Sequence, residues 1–146
     1  MNEMSTILLV EDNEDDVELI LYAFEKAGIR NPLVTVPDGD AAVEYVTGTD
    51  PYADRERHPW PALILLDLKL PRRSGFEVLE AIRSHRPARH TPVVVLTSSD
   101  QTVDIERAYR QGANAYLVKP VSRDALLAMV RTLDAFWIKL NRVAGA

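Results

Sequence analysis

The chain has 146 residues, 22 acidic against 17 basic, for a formal charge of −5, and no cysteine; this excludes disulfides, thiolate metal sites and a cysteine nucleophile, and argues against DNA binding, which calls for a basic surplus. A chain of this length is expected to form one domain that hides roughly two-thirds of its unfolded surface, and its 47% apolar and 27% charged residues are an ordinary globular mixture. No apolar run approaches the ~20 residues of a membrane span, and the start MNEMSTILLVEDNEDD lacks the basic region of a secretory signal, so a cytoplasmic protein is expected.

Short apolar runs alternate with amphipathic stretches, which predicts an α/β fold around a parallel sheet. The first run, Ile7 to Val10, leads into a helix with Asn13 as N-cap, Val17, Ile20, Leu21 and Phe24 on its apolar face, and Gly28 as its stop. The second, Leu33 to Val36, precedes a short helix from about Gly39 to Val46 that ends at Gly48. Residues 49–61, TDPYADRERHPWP, read as a tolerated surface insertion. The third run, ALILL from Ala62 to Leu66, lacks polar alternation, as does the fourth, VVVL from Val93 to Leu96; both are expected to be covered on two faces. Between them a helix from about Ser74 sets Phe76, Leu79 and Ile82 on one side, and Arg83, Arg86 and Arg89 read as part of a solvated loop. Ser99 or Asp100 then caps a helix presenting Ile105, Ala108 and Tyr109 before Gly112. The fifth run, Ala115 to Val118, is followed from Ser122 by the longest helix, with Leu126, Met129, Val130, Leu133, Trp137 and Leu140 on one continuous stripe. These units predict a single doubly wound domain over residues 1–146 (core about 5–134, helical extension about 135–146). Its sheet is flavodoxin-like, five parallel strands in the order 2-1-3-4-5, with five helices.

In such a sheet ligands bind beyond the carboxyl ends of the strands, where strand order reverses. Strand one runs into Glu11 and Asp12, strand three into Asp67, strand four into Thr97 and strand five into Lys119. Strands one and three are neighbours in this order, so the three carboxylates converge with a hydroxyl and a lysine at one edge. Carboxylates crowded together repel unless a cation joins them. An all-oxygen set at an open site suits Mg²⁺, with Mn²⁺ as the alternative. Metal and lysine together accommodate the added charge of an acyl phosphate on one carboxylate, and Thr97 is placed to donate to a phosphoryl oxygen.

ILLVEDNEDD, LILLDLKLP followed by RRSG, VVVLTSS and GANAYLVKP, in this order, resemble the receiver domain of two-component response regulators over essentially the whole chain. The resemblance implies that Asp67 accepts a phosphoryl group from a sensor histidine kinase and that Glu11, Asp12, Asp67 and the backbone carbonyl of Lys69 bind the metal. It further implies that Thr97 and Tyr116 are the switch pair, that Lys119 pairs with the phosphate, and that the bond before Pro120 is cis. The Lys69 side chain is read as pointing into solvent. On this reading the chain is a phosphoacceptor rather than an enzyme, catalysing only its own phosphorylation and dephosphorylation and signalling through changed protein contacts.

The long loop before ALILLDLKLP, the block TSSDQTVDIERAYRQGANAYLVKPV and the ending LDAFWIKL resemble stand-alone receivers paired with phytochrome-type histidine kinases, which implies a bacteriophytochrome as one possible partner. Phe136 and Trp137 cannot easily both face one core; they are expected to anchor a homodimer built on the fourth and fifth helices and the fifth strand. Two other classes fit less of the sequence. A phosphohydrolase of the haloacid-dehalogenase type needs an aspartate two residues after its nucleophile, where Lys69 stands, and a flavin carrier needs a phosphate loop where EDNEDD would repel the phosphate.

Overall fold

The computed structural model describes residues 1–142. In chain order it forms β1 (Thr6–Val10), α1 (Glu14–Lys26), β2 (Leu33–Val36), α2 (Gly39–Thr47), β3 (Pro61–Leu66), α3 (Gly75–Ser84), β4 (Val93–Thr97), α4 (Thr102–Arg110), β5 (Ala115–Val118) and α5 (Arg123–Leu133). The strands pair in parallel in the order β2-β1-β3-β4-β5, as expected. Alternate strand residues feed two cores. Leu8, Val10, Ile64, Leu66, Val93 and Val95 pack against α2, α3 and α4, whereas Ile7, Leu9, Leu63, Leu65, Val94 and Leu96 pack against α1 and α5. Burial on both faces is why the central strands carry no polar alternation.

Local chemistry sets the helix starts. The Asn13 carboxamide accepts from the Asp16 N–H at the head of α1, and the acids of its first turn suit the positive end of the helix dipole. Ser74 and Glu77 form a reciprocal capping box on α3, and α2 ends at Gly48 in the left-handed conformation (φ 71°).

Several expectations fail for physical reasons. Leu21 and Tyr109 are exposed, because the buried stripes of α1 and α4 are narrower than their apolar content and rest on Ile20, Ala23 and Phe24 and on Ala108. Neither Ser99 nor Asp100 caps α4; Gln101 holds the N-cap position without a side-chain bond, and the Ser99 hydroxyl is engaged elsewhere. The fifth helix is not one continuous α-helix. After Leu133 it winds as a π-helix over Asp134–Leu140. Its wider i to i+5 spacing brings Ile138, five residues after Leu133, into the core and leaves Leu140 71% exposed. The bond before Pro120 is trans, and among the described residues the cis peptide is Asp50–Pro51; trans is the ordinary state of an X–Pro bond.

The segment 49–61 is more than an insertion. Arg55 donates to the carbonyls of Val46 and His58, the Tyr45 hydroxyl donates to the Pro59 carbonyl, and Tyr52 and His58 stack edge-on beside Tyr45. Arg83 likewise leaves the solvated loop assigned to it. Its guanidinium donates to the carbonyls of Arg89, Thr91 and Gly112 and to Asn114 Oδ1, tying α3 to the entries of β4 and β5.

Candidate functional site

The expected residues gather at the carboxyl edge of the sheet. Glu11 and Asp67 follow the adjacent strands β1 and β3, whose ends are joined by the Asp67 N–H donating to the Val10 carbonyl (3.1 Å). Glu11, Asp12 and Asp67 each offer a carboxylate oxygen within 4.8 Å of the others. Glu11 and Asp67 are buried and Asp12 is exposed. The backbone fixes the two buried groups: the Asn13 N–H donates to Glu11 Oε2 (3.1 Å), and the N–H groups of Leu68 (2.7 Å) and Lys69 (3.4 Å) donate to Asp67 Oδ1.

Asp67 is also braced from behind. The Gly75 N–H donates to the Leu68 carbonyl (2.8 Å), and a Cβ on Gly75 would overlap the Asp67 carbonyl oxygen and stand 2.6 Å from Leu68 Cα. Only glycine lets α3 begin this close to the end of β3.

Lys119 arrives from β5, its N–H bonded to the Thr97 carbonyl (2.7 Å). Its ammonium pairs with Glu11 Oε1, Asp16 Oδ2 (2.9 Å) and Asp67 Oδ2 (3.2 Å). Burial raises the Glu11 carboxyl to about 7 even though bonds from Lys119 and Asn13 pull the other way. Burial by itself would lower the Lys119 ammonium, but its bonds to Glu11 and Asp16 outweigh that and hold it above the usual lysine value. One ammonium therefore serves three carboxylates, with Asp12 beside them, and the cluster is short of positive charge. Hard oxygen donors in that state fit a divalent cation of the Mg²⁺ or Mn²⁺ kind.

Thr97 ends β4 completely buried, and its hydroxyl has no hydrogen-bond partner among the described residues. A buried hydroxyl left without a partner is costly, which marks a place where an acceptor is missing. Two positions away the buried Ser99 is held by bonds of its own. The Tyr116 hydroxyl donates to the Ser99 carbonyl (2.9 Å), the Ser99 hydroxyl donates to Asp104 Oδ2 (2.6 Å), and the Gln101 N–H donates to Ser99 Oγ (3.3 Å). The Lys69 side chain is exposed, in line with the solvent reading. Phe136 and Trp137 lie away from this edge, ring against ring at 5.0 Å and 85°; Phe136 is exposed and Trp137 packs on the α1–α5 core.

Sequence reasoning missed Asp16, Ser99 and Asp104. Asp16 had only a weak signal, an acid in the first turn of the helix that follows Glu11 and Asp12. Nothing in the sequence separates Asp104 from other helix-start acids.

A receiver needs this edge in this strand order, and the family model for the response regulator receiver domain matches residues 7–131. The chain belongs to that family. Response regulator Rcp1 of Synechocystis is 36% identical over 145 residues, 99% of this chain and 97% of its own. A structure of Rcp1 in its Mn²⁺-bound form superposes with a TM-score of 0.86 at 35% identity, covering 97% of this chain and 99% of that one. The phosphorylated cyanobacterial phytochrome response regulator RcpA gives 0.90 at 35% identity over 97% and 99% of the two chains. RPA3017, a response regulator in red light signaling of R. palustris, gives 0.91 at 34% over 98% and 100%. The metal described for Rcp1 agrees with the donor chemistry of Glu11, Asp12 and Asp67 in this receiver domain. No helix among the described residues is long and apolar enough to cross a membrane.

Proposed function

We propose that this receiver domain takes a phosphoryl group on Asp67 from a phosphohistidine of a sensor histidine kinase, in a Mg²⁺-dependent reaction, and signals by changing its protein contacts. A carboxylate oxygen of Asp67 forms the bond to phosphorus as the bond to the imidazole nitrogen breaks, and the imidazole, protonated from solvent on its other nitrogen, takes the bonding pair and leaves neutral. Water later cleaves the acyl phosphate, releasing inorganic phosphate and restoring the carboxylate. Glu11, Asp12, Asp67 and the Lys69 carbonyl would hold the cation, which when bound offsets the charge of the phosphoryl oxygens. Lys119 offsets the remaining negative charge from the β5 side, and the Thr97 hydroxyl donates to a phosphoryl oxygen.

The observation that carries this reading is the buried, partnerless Thr97 hydroxyl at the same edge as a buried Asp67 already bonded to a lysine. A mobile anion attached at Asp67 supplies the missing acceptor, and Tyr116, bonded to the loop that follows Thr97, carries the change outward. Intact-protein mass spectrometry after acetyl phosphate treatment tests it. One phosphoryl gain that requires Mg²⁺ and vanishes in Asp67→Asn is expected; a gain that survives in Asp67→Asn overturns the assignment.

Likeness to Rcp1 and RcpA over nearly the full length of each supports a phytochrome-type kinase as the donor. A second reading concerns assembly. An apolar groove of about 380 Å³ lined by Leu117, Met129, Thr132, Leu133, Phe136 and Trp137 supports the β5 and α5 part of a homodimer through α4, β5 and α5, with exposed Phe136 as its outermost anchor beside Trp137. Sedimentation of the Phe136→Ala, Trp137→Ala double variant is expected to give the monomer; an unchanged mass with an intact fold would sink this assembly.

A further inference from the structure

An ammonium group has three donors, and all three of those on Lys119 are directed at carboxylates: Glu11, Asp67 and Asp16. Two of these belong to the group of three whose oxygens crowd within 4.8 Å; Asp16 does not. Asp16 comes from the first turn of α1, a third of its side chain is exposed, and among the described residues its carboxylate bonds to Lys119 Nζ alone, at 2.9 Å. A cation at the acidic cluster competes for Glu11 and Asp67, and a phosphoryl group changes Asp67 itself. Asp16 is the partner that neither event claims.

We infer that Asp16 is a positioning residue that holds the Lys119 ammonium at Asp67 from the α1 side while its other two donors exchange carboxylate oxygens for phosphoryl oxygens. The inference rests on Asp67 being the phosphoacceptor. An unheld lysine head samples many rotamers, and fixing it in advance removes that ordering cost from the reacting state. Phosphorylation and hydrolysis both pass through a phosphoryl group in flight beside Lys119, so Asp16 acts on both rates in the same direction.

The test uses Asp16→Asn, Asp16→Ala and Asp16→Glu, with exposed Asp15→Asn as a variant matched in charge. Phosphorylation by acetyl phosphate with Mg²⁺ and decay of the acyl phosphate are followed by mass spectrometry. Both are expected to slow about tenfold in Asp16→Asn and Asp16→Ala, to recover in Asp16→Glu and to stay unchanged in Asp15→Asn. Mg²⁺ affinity, measured by calorimetry, is expected to stay within about twofold of wild type. A readout independent of turnover is the Lys119 ammonium signal in ¹⁵N NMR of the metal-free protein, protected from solvent exchange in wild type and Asp15→Asn and lost in Asp16→Asn. Wild-type rates together with a retained Lys119 signal in Asp16→Asn would overturn the inference. A loss of Mg²⁺ affinity parallel to the loss of rate would overturn it too, by making Asp16 part of the metal site. Failure of the phosphoacceptor reading has a different mark, the absence of any mass gain in the wild-type protein.

Discussion

Replacing Thr97 with valine keeps the shape of a completely buried side chain and removes the hydroxyl that has no partner. A Thr→Val change in a core ordinarily destabilises, because the lost hydroxyl was bonded. Here the sign reverses. An unsatisfied buried hydroxyl costs about 1–3 kcal/mol, and part of that is recovered by a methyl group in the same space. Thr97→Val is therefore expected to stabilise the unphosphorylated protein by about 1 kcal/mol, a rise of roughly 2–4 °C in Tm for a chain of this size. With phosphoryl or beryllofluoride on Asp67 the order inverts. The wild-type hydroxyl then gains a charged acceptor worth about 1.5–3 kcal/mol, which valine cannot provide. Urea unfolding of both proteins, with and without beryllofluoride and Mg²⁺, measures the four stabilities. A Thr97→Val protein that is less stable by more than about 1 kcal/mol without beryllofluoride would refute the reasoning, because the hydroxyl would then have a partner in solution.

Ile138→Ala is expected to cost about 2–5 kcal/mol and Leu140→Ala less than about 0.5 in chemical denaturation; equal effects would argue for α winding past Leu133. Arg83→Ala removes donors from the carbonyls of Arg89, Thr91 and Gly112 and is expected to cost about 2–4 kcal/mol, with Arg83→Lys recovering less than half because an ammonium lacks the planar fork; full recovery by lysine would contradict the assignment. Burial raises Glu11 from 4.5 to about 7, so between those values the folded protein keeps a proton that the unfolded chain has released. This stabilisation is complete below the lower value and is lost as pH rises toward 7, at most about 3 kcal/mol in metal-free urea melts. Because a cation binds the ionised carboxylate, Mg²⁺ affinity is expected to fall by up to about tenfold per pH unit below 7; a flat profile would remove Glu11 from the site.

The fold was legible where burial leaves its mark on composition. ALILL and VVVL read as central strands because each feeds two cores, and strand order then placed Glu11, Asp12 and Asp67 together. What stayed hidden depends on meetings that local sequence does not encode. Asp16 looks like any acid at the start of a helix until Lys119, 103 residues away, comes to it. Arg83 looks solvated because its partners are mostly backbone carbonyls, which every residue carries. The turn from α to π winding leaves the apolar residues of DAFWIKL in place and changes only which of them faces inward. Tyr45 and Tyr52 gave no hint that they would stack with His58 and bring the 49–61 segment onto α2.

The packing behind Asp67 makes the site a vice with one fixed jaw. On the Asp67 side there is no slack: the start of α3 lies against the end of β3, at a point where one extra carbon on Gly75 has nowhere to go. On the opposite side the loop after Thr97 is held by hydrogen bonds through Ser99, Tyr116 and Asp104 rather than by backbone packed against backbone. A strain introduced at Asp67 is therefore expected to be taken up in the loop rather than in the strand. With Asp67 as the proposed phosphoacceptor, the direction in which a signal would leave this molecule is set by where it is unable to yield.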